Sequence, residues 1–105
     1  MNVVWTERAA QHLESIYEQY LLLTCSEFQA SSIYNEILNQ SARLSDFPNL
    51  GARESLLGDS DTEYRSLVVF QGNYKLIYFI EGDKVVIVGV WNCRMNPKRL
   101  QDYIV

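Results

Sequence analysis

Tyr64-Arg65-Ser66-Leu67-Val68-Val69-Phe70, Tyr74-Lys75-Leu76-Ile77-Tyr78-Phe79-Ile80 and Lys84-Val85-Val86-Ile87-Val88-Gly89-Val90-Trp91 are three apolar runs, separated by Gln71-Gly72-Asn73 and Glu81-Gly82-Asp83. Runs of this length, rich in Val, Ile, Tyr and Phe and broken by short Gly-containing links, predict three antiparallel strands in a meander. Both alternating faces are apolar: Leu67 and Val69 oppose Val68 and Phe70, Leu76, Tyr78 and Ile80 oppose Ile77 and Phe79, and Val85 and Ile87 oppose Val86, Val88 and Val90. One helical layer covers only one face of a sheet. The second face therefore needs shelter from the segment Leu100 to Val105 or from another chain, because a few hundred Å² of open apolar surface, at roughly 25 cal/mol per Å², drives association.

Upstream, the periodicity changes from strand to helix. Asn2 to Trp5 reads as a short strand and Thr6 as a helix cap. Ala9, Leu13, Ile16, Tyr17 and Tyr20 then fall on one helical face, with Glu7, Arg8, Gln11, Glu14, Glu18 and Gln19 around the rest. This helix is expected to end near Leu23, and His12 lies off its apolar stripe, as a solvated side chain would. Ser26-Glu27-Phe28-Gln29 fits a capping box that opens a second helix striped by Ala30, Ile33, Tyr34, Ile37, Leu38 and Leu44. Pro48 disfavours helical geometry at Phe47, so the helix stops near Asp46. Residues 49–63 read as a long loop. The order β-α-α-β-β-β over one domain, 1–105, predicts an α+β fold with a helical hairpin packed on a small antiparallel sheet.

Composition narrows the chemistry. The chain has 105 residues, 48% of them apolar, and a net charge of −4, which argues against broad nucleic-acid binding through phosphates. No apolar stretch approaches the roughly 20 residues that span a bilayer, and no signal core opens the chain, so a cytoplasmic protein without a membrane partner is expected. Cys25 and Cys93 read as reduced thiols, and with His12 as the lone histidine no metal site and no cofactor are expected. Charge is nevertheless segregated: Asp59, Asp61 and Glu63 share one loop, while Arg94, Lys98 and Arg99 gather near the C-terminus.

The opening Val4-Trp5-Thr6 with Ala9 and Leu13, then Phe47-Pro48-Asn49-Leu50-Gly51 with Arg53, Tyr64-Arg65-Ser66-Leu67-Val68-Val69, Tyr74-Lys75-Leu76-Ile77-Tyr78 and Val90-Trp91-Asn92-Cys93-Arg94-Met95-Asn96-Pro97-Lys98-Arg99-Leu100 together resemble the ParE/RelE superfamily of bacterial type II toxins. The resemblance covers almost the whole chain, and the Phe-Pro…Gly…Arg and Tyr-Arg elements favour its ParE-like side. It implies a growth-inhibiting toxin in a toxin–antitoxin hetero-oligomer, held inactive by a cognate antitoxin and, for ParE-like members, acting on DNA gyrase by binding rather than as an enzyme. For RelE-like members it implies a ribosome-dependent endoribonuclease that cuts mRNA; Arg65, Lys75 and Arg94 occupy the matching basic positions of the sheet. A third implied role is a non-toxic relative serving as co-repressor with its antitoxin.

The residues themselves lean away from the nuclease. The loop before the sheet, Gly58-Asp59-Ser60-Asp61-Thr62-Glu63, is acidic where a ribosome-dependent nuclease would carry lysines. Asn92 and Cys93 stand where many relatives place a histidine, which removes a general acid or base. Arg65 also has a plain reading as a bridge to the acidic loop, Lys75 as a solvated strand residue, and Tyr17, Tyr20, Tyr34, Tyr74 and Tyr78 as core. The expected target-binding residues are Arg94, Asn96, Lys98 and Arg99, presented after the last strand with Pro97 restricting the path.

Overall fold

A computed structural model describes residues 1–104. Its elements run β1 (Asn2–Trp5), α1 (Glu7–Thr24), α2 (Glu27–Ala42), β2 (Ala52–Arg53), β3 (Arg65–Val69), β4 (Tyr74–Glu81), β5 (Lys84–Asn92) and α3 (Leu100–Ile104), with short 3₁₀ turns at Arg43–Ser45, Ser55–Leu57 and Pro97–Arg99. The α+β architecture is that read from the sequence. Two caps form as the residues dictate: Thr6 Oγ1 accepts from Ala9 N–H at 3.1 Å, and Ser26 Oγ accepts from Gln29 N–H at 3.2 Å. Cys25 closes α1 in the left-handed region at φ 52°, which leaves only Cys25 and Ser26 between the helices.

The sheet has the order β1-β5-β4-β3-β2. Residues 64–92 form the expected meander, paired antiparallel throughout. Two additions extend it. β1 joins the edge of β5 in parallel, Asn2 opposite Lys84 through Trp5 opposite Ile87. Ala52 and Arg53, inside the segment read as a loop, pair with Ser66 and Arg65.

The hairpin covers one sheet face. Ala9, Leu13, Ile16, Ile33, Ile37 and Leu44 pack on Val69, Tyr74, Leu76, Tyr78, Val85, Ile87 and Val90. Two side chains lie on the face opposite to strict alternation. Val90 joins Val85 and Ile87 because the register shifts at Ile77/Tyr78: Tyr78 pairs with Ile87 but Ile77 with Gly89, so Val88 is an inserted residue and the later side chains of β5 change face. Phe70 lies beyond the strand, at φ 49°, and its ring turns to Tyr20 and Tyr74 on the helical side.

The second face is sheltered by the chain itself. Leu100 and Ile104 of α3, with Leu57, pack on Ile77 and Trp91, and Tyr64, Val88, Cys93 and Tyr103 border this smaller core. On that face Val4 of β1 and Val68 of β3 stay 41% and 56% exposed. The chain thus covers the middle of this face itself and leaves its β1 and β3 margins open.

His12 departs most from its sequence reading. β1 stops opposite Ile87, so β5 becomes an edge strand at Val90, and the imidazole supplies the missing acceptor: Val90 N–H donates to His12 Nδ1 at 3.1 Å. The ring of Tyr103 stacks on the imidazole at 4.1 Å, tying α3 to the same point. Gly89 makes this approach feasible, since a Cβ there would lie 2.6 Å from Ile104 Cδ1 and 3.2 Å from the imidazole. Burial, followed by the nearby Arg8 guanidinium, pushes the His12 pKa down and favours the neutral ring that this bond requires.

Candidate functional site

The basic loop after β5 is built from local hydrogen bonds. Asn92 Oδ1 accepts from Arg94 N–H at 2.9 Å, and the Asn92 carbonyl accepts from Met95 N–H at 3.0 Å. Asn96 repeats the device: its Oδ1 accepts from Lys98 N–H at 3.1 Å and its carbonyl from Arg99 N–H at 3.0 Å. Pro97 fits the first position of the 3₁₀ turn because it has no N–H to satisfy. Leu100, fully buried, anchors the far end. The backbone is thereby set while Arg94, Asn96, Lys98 and Arg99 are all exposed. Arg94 Nη2 donates to Asn73 Oδ1 at 3.1 Å across the end of the sheet. Trp91, Met95, Arg99, Asp102 and Tyr103 line an open cleft of about 270 Å³ beside this loop. Among these residues Asn96 has a clear structural occupation as a cap, which its sequence reading as a contact residue did not include.

Arg65, Lys75 and Arg94 do not form one cluster. Arg65 pairs with Tyr78 and Lys75 with Val68, and residues 65 and 68 point to opposite faces of β3. Arg65 Nη1 donates to the Gly51 carbonyl at 2.8 Å, and its other terminal nitrogen lies 3.8 Å from Glu63 in the acidic loop. Lys75 is not a simple solvated residue: its Nζ lies 3.2 Å from Glu54 Oε2, whose residue is only 4% exposed. Burial raises the Glu54 pKa, but hydrogen bonds from Ser66 and Lys75, the Lys75 charge and the Leu56 N–H outweigh it, and the net shift is downward. A buried carboxylate so held is a structural ion pair facing Cys93, whose thiol is pushed up by burial against the opposing pull of Lys75. Sequence reading missed Glu54; its place within an acidic and irregular stretch gave no periodic signal.

Tyr78 explains the Phe-Pro…Gly segment. Its hydroxyl accepts from Gly51 N–H at 2.9 Å and donates to the Pro48 carbonyl at 2.7 Å, so the loop after α2 hangs on the centre of the sheet. Gly51 has no alternative there, since a Cβ would lie 2.6 Å from the Ser66 carbonyl oxygen.

Two further surface features bear on function. Leu22, Leu23 and Phe28, at the tip of the helical hairpin, are 82%, 72% and 82% exposed. Phe47 and Val68 are also exposed, though further apart in the fold. Among the described residues no group of three His, Cys, Asp or Glu side chains could hold a metal ion, and no helix is long and apolar enough to cross a membrane.

Comparison with known proteins gives one consistent outcome. The sequence matches, over residues 3–97, the family model for the ParE toxin of the type II toxin–antitoxin system parDE. No curated protein matches it in sequence. The fold is similar to that of a solved chain from the chromosomal ParDE TA system of P. aeruginosa, with a TM-score of 0.74 and 23% identity, covering 88% of this chain and 95% of that one. An α-hairpin on a meander closed by a C-terminal helix, and a family match across nearly the full length, lead to one conclusion: this chain belongs to the ParE toxin family of type II toxin–antitoxin systems.

Proposed function

We propose that the chain arrests growth by binding a macromolecular target, DNA gyrase, through Arg94, Asn96, Lys98 and Arg99, and that a cognate antitoxin neutralises it by covering the same loop with carboxylates. The observation that carries this reading is the loop itself: three cations within six residues of an otherwise acidic chain, exposed on a backbone fixed by two Asn caps and the buried Leu100. A preorganised loop loses little conformational freedom on binding, so more of its contact energy appears as affinity. Electrostatic complementarity would speed encounter with an acidic surface.

The alternative of mRNA cleavage would need Arg65, Lys75 and Arg94 to act on one phosphate. Arg65 and Lys75 lie on opposite faces and already serve Gly51, Glu63 and Glu54, which favours the binding reading over it. Induced expression tests the two together. Replacing Arg94, Lys98 and Arg99 by Ala changes folding stability by no more than about 0.5 kcal/mol, as exposed substitutions do, and abolishes growth arrest; in the unaltered chain DNA replication fails before translation. A triple variant that remains toxic, with translation stopping first and Arg65→Ala abolishing that effect, would overturn the proposal in favour of the nuclease.

A further inference from the structure

A cleft of about 260 Å³ runs between α1 and α2, lined by Glu14, Tyr17, Ser31, Tyr34 and Asn35. Tyr17 and Tyr34 are only partly buried, and their rings meet edge to face with centroids 5.9 Å apart. Such a contact occupies one face of one ring, and both rings border the cleft. Glu14 and Asn35 are exposed and Ser31 is partly buried. Among the described residues none of these three side chains is engaged in a hydrogen bond or ion pair, so an incoming donor displaces only water from them.

These groups define what the cleft accepts. The Glu14 carboxylate offers acceptors only, and the Asn35 carbonyl and Ser31 hydroxyl add two more. Between Ala9 and Ala42 the sequence has Glu14, Glu18, Glu27 and Glu36 and no Lys or Arg, so an anion meets like charge throughout. A cation beside phenol rings is attracted by their quadrupoles. A guanidinium suits the site better than an ammonium, because it is planar, stacks on an aromatic face and carries five donors in a fork. The volume falls below the range of roughly 300–1,000 Å³ typical of small-molecule sites and suits one long inserted side chain.

The flanks of the cleft continue to the hairpin tip. Glu14, Glu18 and Leu22, at i, i+4 and i+8, share one stripe of α1, and Phe28, Ser31 and Asn35, at i, i+3 and i+7, share one stripe of α2. The buried residues of these helices, Ala9, Leu13 and Ile16 with Ala30, Ile33 and Ile37, occupy other stripes. Leu22 and Phe28 are each 82% exposed. At 1.5 Å per residue they lie roughly 10–12 Å from Asn35 and Glu14. A helix that reaches both regions carries its apolar group about seven residues from its arginine.

We propose that this face of the hairpin docks a basic amphipathic helix of a partner protein. The partner's arginine enters the Tyr17–Tyr34 cleft against Glu14, and its apolar side chains, two turns away, cover Leu22 and Phe28. A third helix laid along the groove between two antiparallel ones uses ordinary helix-in-groove recognition. Charge complementarity selects the partner, since the hairpin is acidic along both stripes. A free small cation would leave Leu22 and Phe28 uncovered. The surface shares no residue with the loop at 94–99, so the inference does not depend on what that loop binds.

Titrating the ¹⁵N-labelled chain with N-acetylarginine methylamide should move the amide signals around Glu14, Tyr17 and Ser31 to Asn35, with a dissociation constant on the order of millimolar. N-acetylcitrulline methylamide, of the same shape but uncharged, should bind roughly fivefold or more weakly. Glu14→Gln, at an exposed position, should weaken arginine binding roughly two- to fivefold without changing Tm. Alanine-based helical peptides with one arginine and one leucine seven residues apart, made in both orders, test the second contact. The better order should bind about tenfold more tightly than the arginine derivative, and Leu22→Ser/Phe28→Ser should remove that gain alone. Equal shifts with arginine and citrulline, shifts centred elsewhere, or no advantage for either peptide would overturn the proposal. So would sedimentation equilibrium showing a chain that self-associates and that Glu14→Gln returns to monomer, which would assign the cleft to an arginine of a second copy.

Discussion

Replacing Tyr78 by Phe removes one oxygen from a fully buried ring and leaves its packing intact, so the effect isolates two hydrogen bonds. The hydroxyl accepts from Gly51 N–H at 2.9 Å and donates to the Pro48 carbonyl at 2.7 Å. Gly51 is buried, and its orphaned N–H costs about 1–3 kcal/mol; Pro48 is half-exposed, so its carbonyl recovers water and the loss there is nearer to the ~0.5–1.5 kcal/mol of an ordinary bond. The sum is about 1.5–4.5 kcal/mol. For a chain of this size each kcal/mol lowers Tm by roughly 4–8 °C, so a fall of roughly 6–36 °C, about 18 °C at the centre of both ranges, is expected. In urea the midpoint should drop with the slope unchanged, and the Gly51 amide should lose its protection from hydrogen exchange. Because Arg65 bonds the carbonyl of the same Gly51, Tyr78→Phe and Arg65→Ala should be non-additive. A destabilisation below about 0.5 kcal/mol, or full additivity, would refute the assignment of Tyr78 as the post that holds the 48–51 loop.

Gly51→Ala should be comparably damaging, since its Cβ would meet backbone at 2.6 Å and overpacking of this kind typically costs about 1–3 kcal/mol; thermal denaturation reads it directly. Lys75→Ala leaves the Glu54 carboxylate buried without its cation. We expect about 2 kcal/mol at neutral pH, below the ~3–5 kcal/mol of a fully buried pair because Lys75 is partly exposed. Since the folded Glu54 pKa lies below its usual value, the unaltered chain should lose that stabilisation as pH falls from about 4.5, a loss absent from the variant in urea titrations. For His12 the folded pKa is also lowered, so the unfolded chain binds the extra proton and stability should decline as pH falls below about 6.5. His12→Gln, which can still accept from Val90 N–H, should flatten that decline when unfolding is followed between pH 5 and 8.

The sequence alone determined the hairpin helices, the meander, β1 and the family, because periodicity and turn chemistry are local; β2 and α3 carried no such signal. The meander from Tyr64 to Trp91, the two capped helices and the buried tyrosines of β4 could all be read from side-chain spacing, and the ordered motifs from Val4 to Leu100 carried the resemblance to ParE. The loop after the last strand could also be placed, since Pro97 restricts its path, but the capping by Asn92 and Asn96 is visible only in the structure. What tertiary structure decided depends on neighbours distant in sequence. His12 became an edge-strand acceptor only because β1 ends opposite Ile87 and leaves the Val90 N–H unpaired. Glu54 became a buried ion-pair partner only because β3 and β4 bring Ser66 and Lys75 to it. Strict alternation placed Val90 on the face opposite to the one it occupies, because one inserted residue at Val88 reverses every position after it. Arg65, Lys75 and Arg94 look like one basic set in the sequence, but parity along β3 sends Arg65 and Lys75 to opposite faces. A strand pattern gives which residues alternate; only the pairing register gives which of them meet.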